Sequence, residues 1–283
     1  MKRVSGAEQH ADGSAAWDHR AVNRQAHAHL DVNTDPGAQV ILSVAVNGPT
    51  VAESLTAVHD GYELAVRELI DAHGTRLHVF DTPGGRVAID YRAEVSGALP
   101  SPSGAEVDRI RYLRPSRYCE SDTLGPTARS QFSGLVGAEL LAAVGSWVRT
   151  ELAYLPEFTS PIDGAVRTLL SRSGVCRDFA HLVIALLRAL DVPARLASVY
   201  APGLYPMDFH AVAEAYVDGD WQVIDATGLA PRQTMMRIAT GRDAADTAFL
   251  STRRGFATID AMEIVCVADR LPVDDARHLV RLA

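Results

Sequence analysis

In SRSGVCRDFAH, residues 171–181, a polar turn leads into Cys176. Apolar residues at helical spacing follow over residues 179–190, so the pattern predicts a buried helix that begins at or near the cysteine. Unpaired backbone N–H groups and the positive end of the helix dipole favour thiolate over thiol at such a position. Cys176 is therefore the candidate nucleophile.

Two further polar residues follow the cysteine in the order that nucleophilic acyl transfer requires. His210 lies in DFHA, residues 208–211, and Asp225 lies in WQVIDAT, residues 221–227. This chemistry needs an attacking sulfur, a base that holds its proton, and a carboxylate that orients the base. Cys176, His210 and Asp225 are accordingly the predicted catalytic residues.

The spacing between His210 and Asp225 can be compared with hairpin geometry. An Asp-Gly pair at 218–219 separates two apolar runs and predicts a two-residue turn, which pairs Val217 with Asp220. In that register Asp225 is the diagonal neighbour of His210 on one face, and such neighbours lie roughly 7–8 Å apart. A slip of one residue would place the two side chains on opposite faces, so the predicted pair depends on this register.

Other residues near these motifs have ordinary structural interpretations. A lone cysteine is most often a small buried hydrophobe, and Cys119 and Cys266 fit that description: Cys266 lies in a strand-like run, and Cys119 lies in a polar stretch without a histidine motif. His181 follows Cys176 by five residues on the predicted helix, hence on another face, and is expected to form a hydrogen bond within the core. Asp178 falls in the first helical turn, where the dipole favours a carboxylate.

Taken together, the motifs resemble those of the bacterial transglutaminase-like superfamily, and in particular its transglutaminase-like cysteine peptidases. GVCRDFAH, residues 174–181, is similar to the cysteine motif of the family, DFHA to its histidine motif and WQVIDAT to its aspartate motif. YLRPSRYCESD, residues 112–122, is similar to the segment that opens the catalytic domain, and GRDAAD, residues 241–246, to the loop after the aspartate. Three motifs in a fixed order are far more specific than any one of them.

The resemblance implies an α+β fold of the papain and transglutaminase type, in which the helix bearing Cys176 packs on an antiparallel sheet bearing His210 and Asp225. It also implies a thioester on Cys176, formed from a peptide or protein amide substrate. Hydrolysis by a protease or amidase is favoured because water needs no second binding site, and transfer to an amine by a transglutaminase is the alternative. Val212 departs from the family pattern, which often has an aromatic residue after His-Ala. This departure leaves the three catalytic residues unchanged and affects only the wall of the pocket.

Two other classes of protein share parts of the pattern. Arylamine N-acetyltransferases use Cys, His and Asp in the same order, but they carry Arg-Gly-Gly before the cysteine, where this chain has SRSG. A non-catalytic peptide-binding module of the same fold is the second alternative, and the three filled triad positions count against it. A module of that kind would show no unusually reactive cysteine at neutral pH.

Hydrophobic periodicity predicts a β domain ahead of the catalytic one. Residues 1–28 are polar, lack an apolar signal segment and are expected to form a mobile N-terminal tail. Alternating runs at 39–46, 76–80 and 86–91 predict strands, so residues 29–98 are expected to form a small β-sandwich.

The second half of the chain predicts helices first and an antiparallel sheet after them, which is an α+β order. Residues 99–110 are expected to be a linker by composition. The catalytic domain is predicted over residues 111–270. A C-terminal tail is expected over residues 271–283, with a short amphipathic helix at 274–282.

Composition excludes several classes of function. The net charge of −8 over 283 residues argues against a nucleic-acid-binding surface, and no apolar segment predicts a membrane span. Three cysteines form no even disulfide framework and match a reducing compartment, so a cytoplasmic protein is expected. Neither Cys-x-x-Cys nor His-Glu-x-x-His spacing occurs, so no metal and no other cofactor is expected. The oligomeric state stays open.

Overall fold

The structure, a computed structural model, describes residues 22–98 and 104–282. The first of these ranges consists of strands. They are β1 (Asn23–Thr34), β2 (Gln39–Leu42), β3 (Ala52–His59), β4 (Tyr62–Glu63), β5 (Arg67–Ile70), β6 (Arg76–Asp81) and β7 (Gly85–Ser96). Ala26, Ala28 and Leu30 of β1 are buried, while the residues between them are more exposed. This period of two is what makes the segment a half-buried strand.

The second range contains both helices and strands. The helices are α1 (Glu106–Arg111), α2 (Gly125–Phe132), α3 (Gly137–Glu151), α4 (Ala165–Ser171) and α5 (Cys176–Arg188), with short 3-10 turns at Pro156–Phe158 and Arg232–Thr234. The strands are β8 (Ala153–Tyr154), β9 (Ser173–Gly174), β10 (Ala194–Tyr200), β11 (Phe209–Val217), β12 (Asp220–Ile224), β13 (Met236–Gly241), β14 (Leu250–Arg253) and β15 (Ala257–Ala268).

Helix α5 is the centre of the α+β half. It packs against β10 and β11 of an antiparallel sheet whose order is β12-β11-β10-β13, and α2, α3 and α4 pack around it. Its apolar side chains, such as Leu182, Ile184 and Leu186, are fully buried because the helix is enclosed between the sheet and these helices. The predicted α+β fold, with a cysteine-bearing helix on an antiparallel sheet, is confirmed.

The other half is a sandwich of two antiparallel sheets. One has the order β15-β1-β7-β3-β4 and the other has the order β14-β2-β6-β5. Leu30, Val40, Phe80 and Ile89 are buried between them, so each sheet covers the apolar face of the other.

The sequence assigned several boundaries differently. Residues 23–28 were expected in a mobile tail, but they are the first half of β1. Strands β14 and β15 were expected in the catalytic domain, but they pair with β2 and β1 and complete the two sheets of the sandwich. A strand pattern shows which face is buried and does not show which distant strand supplies the ladder partner. Residues 1–21 of the predicted tail lie outside the described residues.

The predicted linker and C-terminal tail are also more structured than expected. Helix α1 begins inside the predicted linker and ends one residue beyond it, and Glu106 and Asp108 in its first turn complement the helix dipole. Linker residues 99–103 lie outside the described residues. The predicted helix over residues 274–282 is wrong, because this segment has no regular secondary structure. It is held against the rest of the protein by hydrogen bonds that Arg232 donates to Asp274.

Candidate active site

Cys176 is the first residue of α5 and is half-buried. Asp178, buried two residues later, holds the turn that precedes it: its Oδ2 accepts hydrogen bonds from the Val175 backbone N–H at 2.9 Å and from the Thr159 hydroxyl at 2.6 Å. A Cβ on Gly174 would lie 2.6 Å from the Asp178 Cβ, so the turn requires glycine at this position. The glycine lead-in and the buried carboxylate therefore fix where the thiol emerges.

His210 and Asp225 meet at one end of the β11–β12 hairpin. The predicted register is confirmed, since Val217 pairs with Asp220 across the turn. The His210 Nε2 lies 3.0 Å from the Asp225 Oδ2, and both side chains are buried. Thr227 donates to the other carboxylate oxygen, Oδ1, from its backbone N–H at 2.9 Å and from its hydroxyl at 2.6 Å.

The electrostatics of this pair favour an imidazolium beside a carboxylate. Burial opposes the charge on His210, but the neighbouring Asp225 carboxylate and the Cys176 thiol outweigh it and raise the pKa of His210 to about 10. Burial likewise opposes the charge on Asp225, yet His210 and Thr227 hold the pKa of that carboxyl below its usual value. Because Nε2 is paired with Asp225, Nδ1 is the nitrogen left to interact with Cys176. The three predicted site residues are thus brought together.

Two residues that sequence reasoning missed lie beside this group. The Tyr154 hydroxyl interacts with both the backbone N–H and the sulfur of Cys176. Asp208 lies two residues before His210, and although the residue as a whole is exposed, its carboxyl is partly buried, which raises its pKa above the usual value. Asp208 is the first residue of the histidine motif, so its place beside His210 could have been predicted from the sequence. Tyr154 lies in a two-residue strand far from every motif and gave no signal.

The residues that were expected to be structural are so placed. His181 is fully buried, accepts a hydrogen bond from the Ala244 backbone N–H at 3.1 Å and stacks on Tyr118. Its burial lowers its pKa to about 3, so it stays neutral at physiological pH. Cys119 and Cys266 are buried, and burial raises the pKa of both thiols, that of Cys119 to about 12.

Within residues 22–98 and 104–282, no group of three or more His, Cys, Asp or Glu side chains is placed to hold a metal ion. No helix in the same ranges has the length and apolar character needed to cross a membrane.

Comparison with known proteins places these residues in a family. The model of the transglutaminase-like superfamily matches residues 132–226, which include Cys176, His210 and Asp225. The crystal structure of a Cytophaga hutchinsonii protein, provisionally described as a cysteine protease, is 32% identical to this chain with a TM-score of 0.81. That similarity covers 89% of this chain and 92% of the other. This chain belongs to the transglutaminase-like superfamily.

A second relative of this transglutaminase-like protein is the uncharacterized protein ML0607 of Mycobacterium leprae. It is 26% identical over 225 residues, which cover 68% of this chain and 78% of the relative. The resemblance expected from the motifs is therefore confirmed, and with it the fold and the membership of a family of thiol enzymes.

Proposed function

We propose that this transglutaminase-like protein hydrolyses amide or peptide bonds through a thioester on Cys176, with His210 and Asp225 completing a catalytic triad. One observation carries the proposal. A buried histidine is held by a buried carboxylate on one nitrogen and faces the half-buried thiol of a helix N-terminus with the other. Nucleophilic acyl transfer requires this arrangement, whereas a cysteine that only fills space in the core requires neither the histidine nor the carboxylate.

The reaction proceeds in two halves. The Cys176 thiolate attacks the substrate carbonyl carbon, a C–S bond forms, and the carbonyl electron pair moves onto oxygen. The backbone N–H of Cys176 points out of the helix start and donates to that oxyanion. As the intermediate collapses, the C–N bond breaks and the His210 imidazolium protonates the leaving amine or ammonia. A thioester and a neutral imidazole remain.

Water completes the cycle. His210 takes a proton from water, the hydroxide adds to the thioester carbonyl, and the C–S bond breaks to give a carboxylic acid and the thiolate with its imidazolium restored. Asp225 keeps the imidazole oriented and balances its charge in both halves. Hydrolysis is favoured because water needs no binding site of its own. The provisional description of the Cytophaga relative as a cysteine protease also supports hydrolysis.

Transfer of the acyl group to an amine is the second candidate, and one feature favours it. The Asp208 carboxylate lies close enough to interact electrostatically with His210, so it would attract a cationic amine toward the thioester. The two candidates share every step up to the thioester, and they differ only in what resolves it.

The two products distinguish the candidates. The protein is incubated with casein and with glutamine-containing peptides, with and without monodansylcadaverine. Ammonia, new α-amino groups and fluorescent adducts are then measured. Hydrolysis predicts ammonia or new α-amino groups without added amine, and transfer predicts fluorescent adducts with release that depends on the amine.

Matched cysteine variants test whether the activity belongs to the proposed site. Cys176→Ala should abolish either activity, whereas Cys266→Ala, at a buried thiol of the sandwich, should retain it. Turnover that survives in Cys176→Ala contradicts the proposal.

A further inference from the structure

We propose that the Tyr154 hydroxyl is the second donor of the oxyanion hole, beside the backbone N–H of Cys176. This inference rests on the proposed function, because an oxyanion forms only if Cys176 attacks a carbonyl. It assigns a catalytic role to a residue that lies outside the three motifs.

The backbone around Tyr154 is fixed from both sides. Strand β8 runs parallel to β9, and Tyr154 pairs with Gly174, two residues before Cys176. The Ala153 N–H donates to the Arg172 carbonyl at 2.9 Å, and the Leu155 N–H donates to the Gly174 carbonyl at 3.1 Å. The strand pair therefore anchors the tyrosine to the same turn that presents the nucleophile.

The side chain is directed at the reacting atoms. The Tyr154 ring packs on Phe179 of the first turns of α5, with ring centroids 6.0 Å apart. Its hydroxyl lies near enough to interact with both the backbone N–H and the sulfur of Cys176. The tyrosine is 42% exposed, so its hydroxyl borders the opening through which a substrate carbonyl must reach the sulfur.

These contacts match what the reaction requires of a donor. At rest the negative charge is on the sulfur. After attack it is on the carbonyl oxygen, which accepts a hydrogen bond from the Cys176 backbone N–H. A hydroxyl beside both the sulfur and that N–H is therefore placed to donate to the new oxyanion. Burial and the neighbouring Cys176 raise the pKa of Tyr154 to about 12, so the hydroxyl keeps its proton and donates throughout.

A comparison of two reactions at the same thiol tests this role. Acetylation by p-nitrophenyl acetate passes through an oxyanion, and alkylation by iodoacetamide does not. Tyr154→Phe should slow acetylation of Cys176 by about 10²-fold or more, the effect of removing one oxyanion donor, and should change alkylation far less, because alkylation feels only the loss of the hydroxyl beside the sulfur. Tyr205→Phe, at a tyrosine that is 91% exposed, is the matched control and should change neither rate.

Each other outcome has a distinct meaning. If acetylation and alkylation fall together in Tyr154→Phe, the tyrosine only supports the turn, and if both rise, its side chain obstructs the thiol. Either result overturns the inference, as does an unchanged acetylation rate. Failure of the proposed function is seen separately: acetylation and turnover would then persist in Cys176→Ala, whatever Tyr154→Phe does.

Discussion

Strand β11 carries two buried ion-pair clusters that differ in what they leave unpaired. At its start His210 pairs with Asp225, and further along Glu214 pairs with Arg195 at 2.8 Å and with Arg237 at 2.6 Å. Both clusters shift pKa values: burial opposes the charge on Glu214, but the two guanidinium groups lower its pKa to about 2. Burial and charge pairing alone would flag both places as candidate sites.

The two clusters differ in the third group that each ion pair contacts. Glu214 receives guanidinium donors on both carboxylate oxygens, and Arg195 lies over the Trp221 ring at 3.9 Å, so the cluster is enclosed by its own partners. The His210 imidazole instead directs one nitrogen to a half-buried thiol. Under the proposed function, the first pair is reactive because it faces an accessible nucleophile, and the second is structural because its charged groups pair only with one another.

The largest expected effect is the loss of activity on changing Asp225. Asp225→Asn keeps the shape but favours the wrong imidazole tautomer, so kcat should fall on the order of 10⁴-fold, as in a comparable triad. Circular dichroism should show a folded protein. A variant with near wild-type kcat would contradict the role of the carboxylate and remove the distinction between the two clusters.

Glu214→Gln should lower the stability of the protein and leave its activity nearly unchanged, the opposite of what is expected for Asp225→Asn. Removing one partner of a buried ion pair leaves Arg195 and Arg237 uncompensated, so the free energy of unfolding should fall by about 3–5 kcal/mol. Urea denaturation measures this loss. The folded fraction should keep kcat within a few-fold of wild type, and a loss of kcat comparable to that of Asp225→Asn would mean that the second cluster is also functional.

The pH dependence should separate the clusters further. The imidazolium of His210 is present up to a pKa of about 10, so kcat/KM should stay level above pH 7 and fall only as pH approaches that value. This high-pH limb should move to lower pH in Asp225→Asn, since the carboxylate raises the pKa of His210, and should not move in Glu214→Gln.

Stability is linked to the same proton. The pKa of His210 is raised above its unfolded value of about 6.5, so its pairing stabilises the fold fully below that pH and loses this contribution as pH rises toward 10. Denaturation midpoints at pH 6 and pH 10 should therefore differ more in wild type than in His210→Gln. Equal differences would show that His210 is not charged in the folded protein.

The smallest effect is expected at His181, which shares helix α5 with the thiol. His181→Ala removes a buried ring and one hydrogen bond to the Ala244 N–H, so unfolding should become easier by about 1–3 kcal/mol. Because the ring is neutral and packed on Tyr118, kcat should change little. A kcat loss as large as that of Asp225→Asn would move the general base from His210 to His181.

Much of the site was readable from sequence because its signals are local. The Asp-Gly turn fixed the hairpin register that joins His210 to Asp225, and the polar-to-apolar change at residues 171–181 marked the start of α5. Tyr154 and the pairing of β15 with β1 depend on segments far apart in the chain, and no local pattern specifies such contacts.

The most direct measurement is the identity of the residue that carries the acyl group. The protein is mixed with p-nitrophenyl acetate, quenched in acid during the burst, digested and mapped by mass spectrometry. One acetyl group should be found on Cys176 and be absent from the buried Cys119 and Cys266, with no acetylated thiol in Cys176→Ala. Burst release of p-nitrophenol with Cys176 unmodified, or with the acetyl group on Cys119 or Cys266, would contradict a thioester at the helix N-terminus.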